Sequence, residues 1–309
     1  MRIALQVIAF NVDPWINSML RNAAPHVDKI FIAHPPRPWG YSSEARETLN
    51  NPTKLEFLQI KSLDCEVEVV HGDWLYDEDT RNDLLNRARR ENYDWMVIQD
   101  ADEFYTQESW KRLRHTMAND TTNDLLITPW FNFWKSPTYV VENRGSGIKC
   151  LNEGFAIRAK NCDTRFTFSR TSNASPRRVI DEPCYHYGYV MSNESMFRKI
   201  HTWAHTKDIS STKIWYELKW SRWEENTLFL NPGSPALWLK AVRFPLPQPD
   251  FALEFMHLDT QQVETKGIYW AIIDWLWNSK AILEWRLIQL KRIIRNSLMN
   301  YRKSSRIRS

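Results

Sequence analysis

A strand-like run, a helix-like run and a second strand-like run open the chain, and this order constrains its fold more than any other feature. Residues 2–10 are apolar and end in the polar groups of Asn11 to Asp13. Asp13 is a good helix N-cap and Pro14 suits the first helical position, so a helix is predicted over residues 14–24. Residues 26–33 contain the next strand. Short connections between strand, helix and strand predict a βαβ unit with parallel strands.

The same alternation continues through the first hundred residues. Cys65–Val70 is predicted as a third strand, Thr80–Glu91 as a helix, and Leu55–Leu63 as a short helix before them. Trp95–Ile98 has the length and β-branched content of a buried strand. We therefore expect an α/β fold with a mostly parallel central sheet flanked by helices.

Three acids follow the buried strand at Trp95–Ile98 directly: Asp100, Asp102 and Glu103. In open α/β sheets, ligands bind outside the carboxyl ends of the strands. Because side chains alternate along an extended chain, Asp100 and Asp102 point the same way. Paired carboxylates suit Mg²⁺ or Mn²⁺, which prefer hard oxygen ligands. A solvated acidic turn is the alternative interpretation.

Two further groups of polar residues are candidates for the same edge. His186 lies in the strand-like segment Cys184–Tyr189, where Gly188 allows close approach of the backbone. If that strand lies beside the acidic one, His186 could complete an octahedral metal site. Arg81 and Asn82 open the predicted helix before the acidic strand, facing either solvent or a nucleotide diphosphate. Neither a Walker loop nor a G-x-G-x-x-G turn is present, so phosphates would be held by metal and cationic side chains.

The second half of the chain has a weaker pattern. Strands are predicted at Leu125–Trp134 and within 149–160 and 178–190, with a loop at 135–147. The predicted helices are 193–205, 212–230 and 264–301, the last split near Asn278–Ser279. The Pro-rich segment 232–249 is predicted to be an irregular linker or strap.

The C-terminal segment carries most of the positive charge. From Lys280 onward there are nine basic residues and one acid, Glu284, a net charge of +8; because the whole chain carries +4, the rest is net −4. A basic amphipathic helix containing Trp is typical of peripheral contact with a membrane surface, although an ordinary helix packed on the domain has the same pattern. We expect no nucleic-acid partner, because the net-acidic body would repel phosphates.

The cysteines indicate a compartment. Cys65, Cys150, Cys162 and Cys184 form no closely spaced pair, which predicts reduced thiols and a cytoplasmic location. The apolar N-terminus is interrupted by Gln6, so we expect a first strand rather than a signal peptide. No window reaches the roughly 18 apolar residues of a membrane span, so membrane contact would be peripheral.

Several of these segments together resemble the GT-A glycosyltransferases. They are the first strand ending in Asn-x-Asp, the Arg81–Asn82 helix start, the string DWMVIQDADEF at Asp94–Phe104, and His186-Tyr-Gly-Tyr with Lys199 downstream. The pattern is closest to bacterial and viral family 2-like members with an Asp-Ala-Asp-Glu-Phe (DxD) motif. The resemblance covers about residues 1–205, and implies a nucleotide-sugar-binding and catalytic domain there. Residues 206–309 would be a helical, Pro-interrupted extension with a basic amphipathic tail.

This resemblance implies a hexosyltransferase-type enzyme of glycan biosynthesis that uses a UDP- or GDP-sugar donor and a glycan or glycolipid acceptor. Asn11 and Asp13 would lie near the nucleoside, and Asp73 near the base or ribose. Asp100 would lie near the ribose or sugar, with Arg81 near the diphosphate. Asp102 would be the principal ligand of Mn²⁺ or Mg²⁺, with Asp100 as a further ligand and His186 completing the metal site.

An inverting glycosyltransferase needs a carboxylate to deprotonate the acceptor hydroxyl. The chain departs from the family here, because no Glu-Asp pair lies between the acidic strand and His186. Glu153, in a loop flanked by Gly, is the first candidate, and Asp181 and Glu182 are the others. The absence of a base would suit a retaining mechanism. The aromatic residues Trp130–Trp134 would either stack on a sugar or pack in the core.

Two other classes of function remain open at this stage. One is a different Mg²⁺- or Mn²⁺-dependent nucleotide enzyme, such as a nucleotidyltransferase, although that class carries a Gly-rich basic signature that residues 9–20 lack. The other is a non-catalytic adaptor at a membrane surface, in which the basic tail is the functional element and the acids are incidental.

Overall fold

One large mixed sheet organises the protein. A computed structural model describes residues 1–13, 15–143, 145–202, 212–231, 237–260 and 267–307, without the side chains of 150–152, 257–260, 288 and 292–307. The strands are β1 (Ile3–Ile8), β2 (Lys29–His34), β3 (Glu66–His71), β4 (Trp95–Ile98), β5 (Glu103–Phe104), β6 (Leu125–Trp134), β7 (Ser136–Asn143), β8 (Lys149–Arg158), β9 (Phe166–Phe168), β10 (Thr171–Ser172), β11 (Arg177–Val179), β12 (Cys184–Tyr189) and β13 (Trp238–Arg243).

The N-terminal half of the sheet is parallel. Its order is β3-β2-β1-β4, with Leu5 of β1 paired to Ile30 of β2 on one side and to Val97 of β4 on the other. All six residues of β1 are buried, as expected for a strand covered on both faces. The carboxyl ends of these four strands therefore lie along one edge, where the sequence places Asn11, Asp73 and Asp100.

Beyond β4 the sheet becomes largely antiparallel. The order continues β8-β6-β7-β13, with β12 lying parallel to β6 and antiparallel to the short β5. In this arrangement His186 pairs with Glu103 on one side and with Asn132 on the other. Because β5 follows β4 closely in the chain and pairs with β12, the segment that contains His186 lies beside the acidic residues after β4.

Helices cover both faces of the sheet. They are α1 (Ile16–Ala23), α2 (Ser43–Thr48), α3 (Asp77–Arg90), α4 (Gln107–Asn119), α5 (Asn193–Thr202), α6 (Thr212–Trp215) and α7 (Ile268–Ile307). Alternate residues of β1 enter different cores: Leu5 packs in the cluster that contains Leu20 of α1, and Ala4 in the cluster that contains Leu84 of α3. The α/β class, the helix-flanked central sheet and the helical C-terminal segment are confirmed.

Most strand predictions hold, and several boundaries move. The predicted helix at Leu55–Leu63 is instead two 3-10 turns, Leu55–Phe57 and Ile60–Ser62. Helix α3 begins at Asp77 rather than Thr80, so Arg81 lies one turn inside the helix instead of opening it. The predicted helix at 193–205 is seen as α5, with residues 203–205 outside the described part of the chain. Over 212–230, α6 continues only as a π-helical turn, Tyr216–Ser221.

Three predictions in the second half are wrong. Residues 135–147 are not a loop throughout, because Ser136–Asn143 forms β7. Within the Pro-rich segment, Trp238–Arg243 forms β13 and pairs with β7; the prolines flank this edge strand, where a missing donor is tolerated. Helix α7 runs through Asn278–Ser279 without a break. Since β13 belongs to the main sheet, described residues on both sides of position 205 share one sheet.

Two further observations concern compartment and membrane. Cys65, Cys162 and Cys184 are free thiols, and the side chain of Cys150 lies outside the description. Among the described residues, no helix has the length and apolar character needed to cross a bilayer.

Candidate functional site

Asp100 is held by two arginines at the carboxyl edge of the parallel strands. Arg81 Nη2 donates to its Oδ1 at 2.9 Å, and Arg170 Nη1 lies 3.4 Å from its Oδ2. Burial opposes ionisation of this carboxyl, but the two guanidinium groups outweigh it and lower the pKa to about 2. Arg81 is itself fixed by Asp77, whose Oδ1 lies 2.9 Å from Nε. The charge of Asp100 is therefore already compensated by protein groups.

Arg170 also binds Glu103, which is fully buried. Nη1 and Nη2 of Arg170 each contact one carboxylate oxygen, the latter at 3.0 Å, and Nη2 donates to the carbonyls of Ile98 and Gly154 at 2.7 and 2.8 Å. Burial raises the pKa of Glu103 to about 8, against the lowering effect of Arg170. Arg170 thus ties the end of β4 to β8 and occupies both oxygens of Glu103.

Asp102 and His186 face each other at the centre of this edge. The Nε2 atom of His186 lies 3.7 Å from Asp102 Oδ1, and the Tyr187 amide donates to the Asp102 carbonyl at 2.7 Å. His186 Nδ1 lies 2.5 Å from Oδ1 of Asn132. Because an amide oxygen only accepts, Nδ1 carries the proton and the lone pair of Nε2 points toward Asp102. Burial lowers the pKa of His186 to about 4, although Asp102 raises it, so the ring is neutral at pH 7.

Gly188 keeps the space beside this pair open. A Cβ at position 188 would lie 2.5 Å from His186 Nε2 and 3.1 Å from Asp102 Oδ2. Any other residue would therefore fill the space between the two ligand atoms. Lys199 of α5 reaches the same carboxylate, with Nζ 3.2 Å from Asp102 Oδ2 and 2.8 Å from the Gly188 carbonyl.

The residues here fit a divalent cation. Ligand atoms of Asp102, Glu103 and His186 all lie within 4.8 Å of one another. Two ligands of an octahedral ion with bonds of about 2.1 Å are separated by about 3 to 4.2 Å, which brackets the Asp102–His186 separation of 3.7 Å. Asp102 and His186 are the better pair, because Glu103 has both oxygens committed to Arg170. The hydrogen bond from His186 to Asn132 is the kind that orients a metal-binding imidazole.

The other predicted ligand-binding residues lie at neighbouring strand ends. Asn11, with φ of 53°, accepts from Arg198 Nη1 of α5 at 3.3 Å. Partial burial raises the pKa of Asp13, against the charge of Arg198. Asp73 follows β3 and is paired with Arg37 and with Arg46, whose Nη2 lies 2.7 Å from Oδ1. Their contact with a nucleotide stays a prediction.

The three candidate bases have different surroundings. Glu153 lies on strand β8 and not in the predicted loop. Burial lowers the pKa of Arg170, but nearby carboxylates outweigh it and raise that pKa, and Glu153 is one of them. Glu182 is held by both Nε and Nη2 of Arg112 on α4, the latter at 2.9 Å. Asp181 is exposed and pairs with Lys149 Nζ at 2.6 Å. The charge of Glu153 therefore acts on Arg170, the residue that holds the acidic strand end.

The aromatic residues of β6 divide into two groups. Phe131, Phe133 and Trp134 are buried in the core, so the packing interpretation holds for them. Trp130 is also buried in this core, but it lies against the site as well: its ring centroid is 4.4 Å from that of His186, and the Arg170 guanidinium lies 5.0 Å from it.

Two residues of the site were not identified from the sequence. Asn132 is the one polar side chain in the apolar run Trp130–Trp134, and a single polar residue in such a run indicates a buried polar contact. No sequence pattern points to Arg170, because it lies in the short β9–β10 connection, distant in the chain from both acids that it binds. Lys199 was noticed only as a downstream Lys, without a partner.

Comparisons with known proteins identify no family. No family model matches the chain, and no curated protein matches it. Among solved structures, TarS 1–349 of S. aureus in complex with UDP-GlcNAc is similar, with 13% identity, a TM-score of 0.40 and coverage of 67% of this chain and 70% of that one. HddC from Yersinia pseudotuberculosis has 8% identity, a TM-score of 0.34 and coverage of 63% and 96%.

A third similar structure is a 4-diphosphocytidyl-2C-methyl-D-erythritol synthase from Anaerococcus prevotii. It has 10% identity, a TM-score of 0.33 and coverage of 65% of this chain and 95% of that chain. Because identities and TM-scores are this low, these likenesses establish no activity for this chain. The functional argument rests on its own residues.

Proposed function

We propose that this protein is a GT-A-type, Mn²⁺- or Mg²⁺-dependent glycosyltransferase that moves a sugar from a UDP- or GDP-sugar to a hydroxyl group of a glycan or glycolipid. The observation that carries the proposal is the pairing of Asp102 with the neutral His186, 3.7 Å apart, at the carboxyl edge of the parallel strands. The cytoplasmic location predicted from the cysteines belongs to the same proposal, and the predicted peripheral membrane contact is a separate one.

Two protein ligands would leave most of the coordination sphere of such an ion to the donor. Mg²⁺ and Mn²⁺ are commonly bound by one or two protein groups together with substrate phosphates and water. When bound, the ion would act as a Lewis acid that neutralises charge on the departing diphosphate. Asp102 and His186 would hold it, and Asn132 would keep Nε2 of His186 unprotonated and aimed at it.

Cationic side chains of the chain would hold the rest of the diphosphate. Lys199 lies 3.2 Å from Asp102 and would contribute its charge next to the metal position. Arg81, proposed for the diphosphate, and Arg170 hold Asp100 in place. Asp100 then acts mainly as an anchor that orients both guanidinium groups, with contact to the ribose or sugar as its proposed second role.

The nucleoside would lie along the ends of β1 and β3. Asn11 and Asp13 follow β1, and Asp73 follows β3. Asp73 is shared by Arg37 and Arg46, so the polar surface offered to a base there is a carboxylate flanked by two guanidinium groups. Hydrogen bonding of this kind recognises the edge of a base or a ribose hydroxyl.

We assign the general base of an inverting reaction to Glu153. Glu182 is bound by Arg112 and Asp181 points to solvent, whereas the charge of Glu153 acts on Arg170 of the acidic cluster. A base at this position would take the proton of the acceptor hydroxyl as the sugar is transferred. Proton NMR of the anomeric centre in product and donor tests the assignment together with the rate: an inverted product whose rate of formation falls at least about a hundredfold in Glu153→Gln supports it, and retention of configuration or an unchanged rate overturns it.

The reaction is tested by incubating the protein with UDP- and GDP-sugars, Mn²⁺ and glycan or lipid-linked acceptors. Release of nucleoside diphosphate with transfer to the acceptor is expected. Release of pyrophosphate would instead identify a nucleotidyltransferase. The variants Asp102→Asn and His186→Ala should lose at least about a hundredfold in rate, as for removal of a group that acts on the transition state. His201→Ala, an exposed histidine on α5, is the matched control.

A further inference from the structure

A buried lysine on the body of the protein binds two polar side chains on the inward face of helix α7. Lys219 is completely buried, and its Nζ donates to Asp274 Oδ1 at 2.5 Å, to Asn278 Oδ1 at 2.9 Å and to the Leu228 carbonyl at 2.7 Å. A buried ammonium group has to keep such partners, because leaving it unpaired costs several kcal/mol. We call these three hydrogen bonds the clamp on Lys219. The clamp fixes the rotation of α7 about its own axis.

The inward face of α7 follows a regular helical spacing. Trp270, Asp274, Trp277 and Ala281 are separated by four, three and four residues and lie on one face. Ala281 is buried, Trp277 packs against the main core, and the guanidinium of Arg222 lies 4.7 Å from the Trp270 ring centroid. This face accounts for the contact between α7 and the body.

The opposite face is apolar and exposed. It carries the outer stripe, which we define as Ile268, Ile272, Trp275, Leu276, Leu283 and Leu287, all exposed. At 100° per residue these positions fall within an arc of about 120°, over a length of about 30 Å. Apolar residues normally face the core of a soluble domain. Here the clamp on Lys219 turns them outward.

Basic side chains lie beside and within the outer stripe. Lys280 and Lys291 lie at one edge of its arc and Arg286 lies inside the arc, and all three are exposed. The sequence from Lys280 onward carries +8 while the rest of the chain carries −4. Apolar residues with Trp, flanked by Lys and Arg, match the interface of an anionic bilayer, in which the helix lies parallel to the surface. The absence of a spanning helix among the described residues agrees with binding in the plane.

A second copy of the chain fits the stripe less well. A coiled-coil seam needs apolar residues at both a and d of each heptad. With Tyr269, Leu276, Leu283 and Leu290 at a, the d positions after Ile272 are Ser279 and Arg286, which interrupt the seam. Pairing two copies would also bring two segments of the same high positive charge together.

We propose that the outer stripe of α7, together with Lys280, Arg286 and Lys291, docks the protein on an anionic lipid bilayer. This inference is independent of the sugar chemistry, because it uses no residue of the Asp102–His186 site. Docking would hold α7 flat on the surface and keep the enzyme close to any acceptor anchored there.

The test is co-sedimentation of the full chain with phosphatidylcholine vesicles and with vesicles that contain about 30% phosphatidylglycerol. Binding is expected on the anionic vesicles, weakened at least about tenfold on neutral vesicles or in about 1 M NaCl. Trp275→Glu and Leu283→Glu, at side chains 67% and 60% exposed, should each reduce binding at least about tenfold.

Phe57→Glu is the matched control, since Phe57 is 64% exposed but lies on the body of the protein. Its binding should equal that of the unchanged chain, and thermal unfolding should show all variants folded. The proposal is overturned if the chain does not bind anionic vesicles or if the two stripe variants bind them as well as the unchanged chain does. It is also overturned if Phe57→Glu weakens binding as much as the stripe variants do. Light scattering that shows a dimer dissociated by Leu283→Glu would also overturn it, in favour of a second copy.

Discussion

The Nε2 atom of His186 lies 3.7 Å from Oδ1 of Asp102, although the two residues are far apart in the chain. The pairing of β12 with β5 on one side and β6 on the other produces this approach. It converts a run of acids after a strand into a mixed nitrogen and oxygen site. The following predictions test the parts on which this site depends.

Gly188 should be required for metal binding. Alanine at this position would place a Cβ 2.5 Å from His186 Nε2, so Gly188→Ala should weaken Mn²⁺ binding at least about tenfold while the chain stays folded. Titration followed by electron paramagnetic resonance of free Mn²⁺ measures the affinity. Gly267→Ala is the control, because no atom lies within 4 Å of a Cβ there. Equal affinities in the two variants would contradict the geometry.

Asn132 should act through the orientation of His186. Asn132→Ala removes the acceptor of Nδ1, and metal affinity should fall about 10- to 100-fold, as for other outer partners of ligating histidines. Asn132→Asp keeps an acceptor and should retain most of the affinity. Nitrogen NMR of the imidazole adds a second readout, since only the Ala variant should lose the Nδ1-protonated tautomer. An unchanged tautomer in Asn132→Ala would remove Asn132 from this role.

Arg170 should contribute strongly to stability. Arg170→Met leaves the buried Glu103 without its partner, and above about pH 8, where that carboxyl is ionised, it should lower the free energy of unfolding by about 3–5 kcal/mol. Adding Glu103→Gln should restore part of that loss. Arg112→Met breaks the pair with Glu182 from a side chain that is more than half exposed, and should cost about 0–1 kcal/mol. Urea unfolding of the unchanged chain and the three variants measures these losses. A loss in Arg170→Met that is no larger than the loss in Arg112→Met would contradict the prediction.

Lys135 should make stability depend on pH. It is buried, with its Nζ 3.4 Å from Asn193 Oδ1 and 4.1 Å from the Trp220 ring centroid, and burial lowers its pKa to about 7. Between pH 7 and the ordinary lysine pKa the unfolded chain holds a proton that the folded chain has released. Stability should therefore rise with pH through this window, and the full penalty applies below pH 7.

Lys135→Met keeps a Cβ and chain of similar length but removes the charge. At about pH 6 it should stabilise the protein by at least about 1 kcal/mol, roughly 2–4 °C in Tm, and the gain should shrink toward about pH 10. Lys240→Met, on the exposed edge strand, should show no such dependence. Thermal unfolding of each protein between about pH 6 and pH 10 measures the difference. A Lys135→Met variant that is less stable than the unchanged chain at about pH 6 would contradict the prediction.

Sequence patterns predicted the parts of the fold that depend on local periodicity. β4 at Trp95–Ile98 and β6 at Leu125–Trp134 agree with the structure residue for residue, because each is a buried apolar run with polar or turn residues at its ends. β7 and β13 were missed because half-buried positions break their apolar pattern, and because Pro137 lies within β7 and further prolines flank β13; only tertiary packing stabilises this edge pair.

The site divides in the same way. Asp102 and His186 could be named because their segments carry recognisable chemistry, and the topology brings them together. Arg170 binds Asp100 and Glu103 from the far end of a small hairpin, and no spacing in the sequence predicts a contact of that range. Glu182 was a second candidate for the base, and its pairing with Arg112, a residue distant in the chain, could not be predicted from the sequence.

The most direct test of the central claim is calorimetric titration of UDP and GDP into the protein with and without Mn²⁺. We expect binding of at least one nucleotide that requires the metal, is lost in Asp102→Asn and in His186→Ala, and is unchanged in His201→Ala. Nucleotide binding that is the same without Mn²⁺, or that survives in both site variants, would contradict a metal centre built on Asp102 and His186.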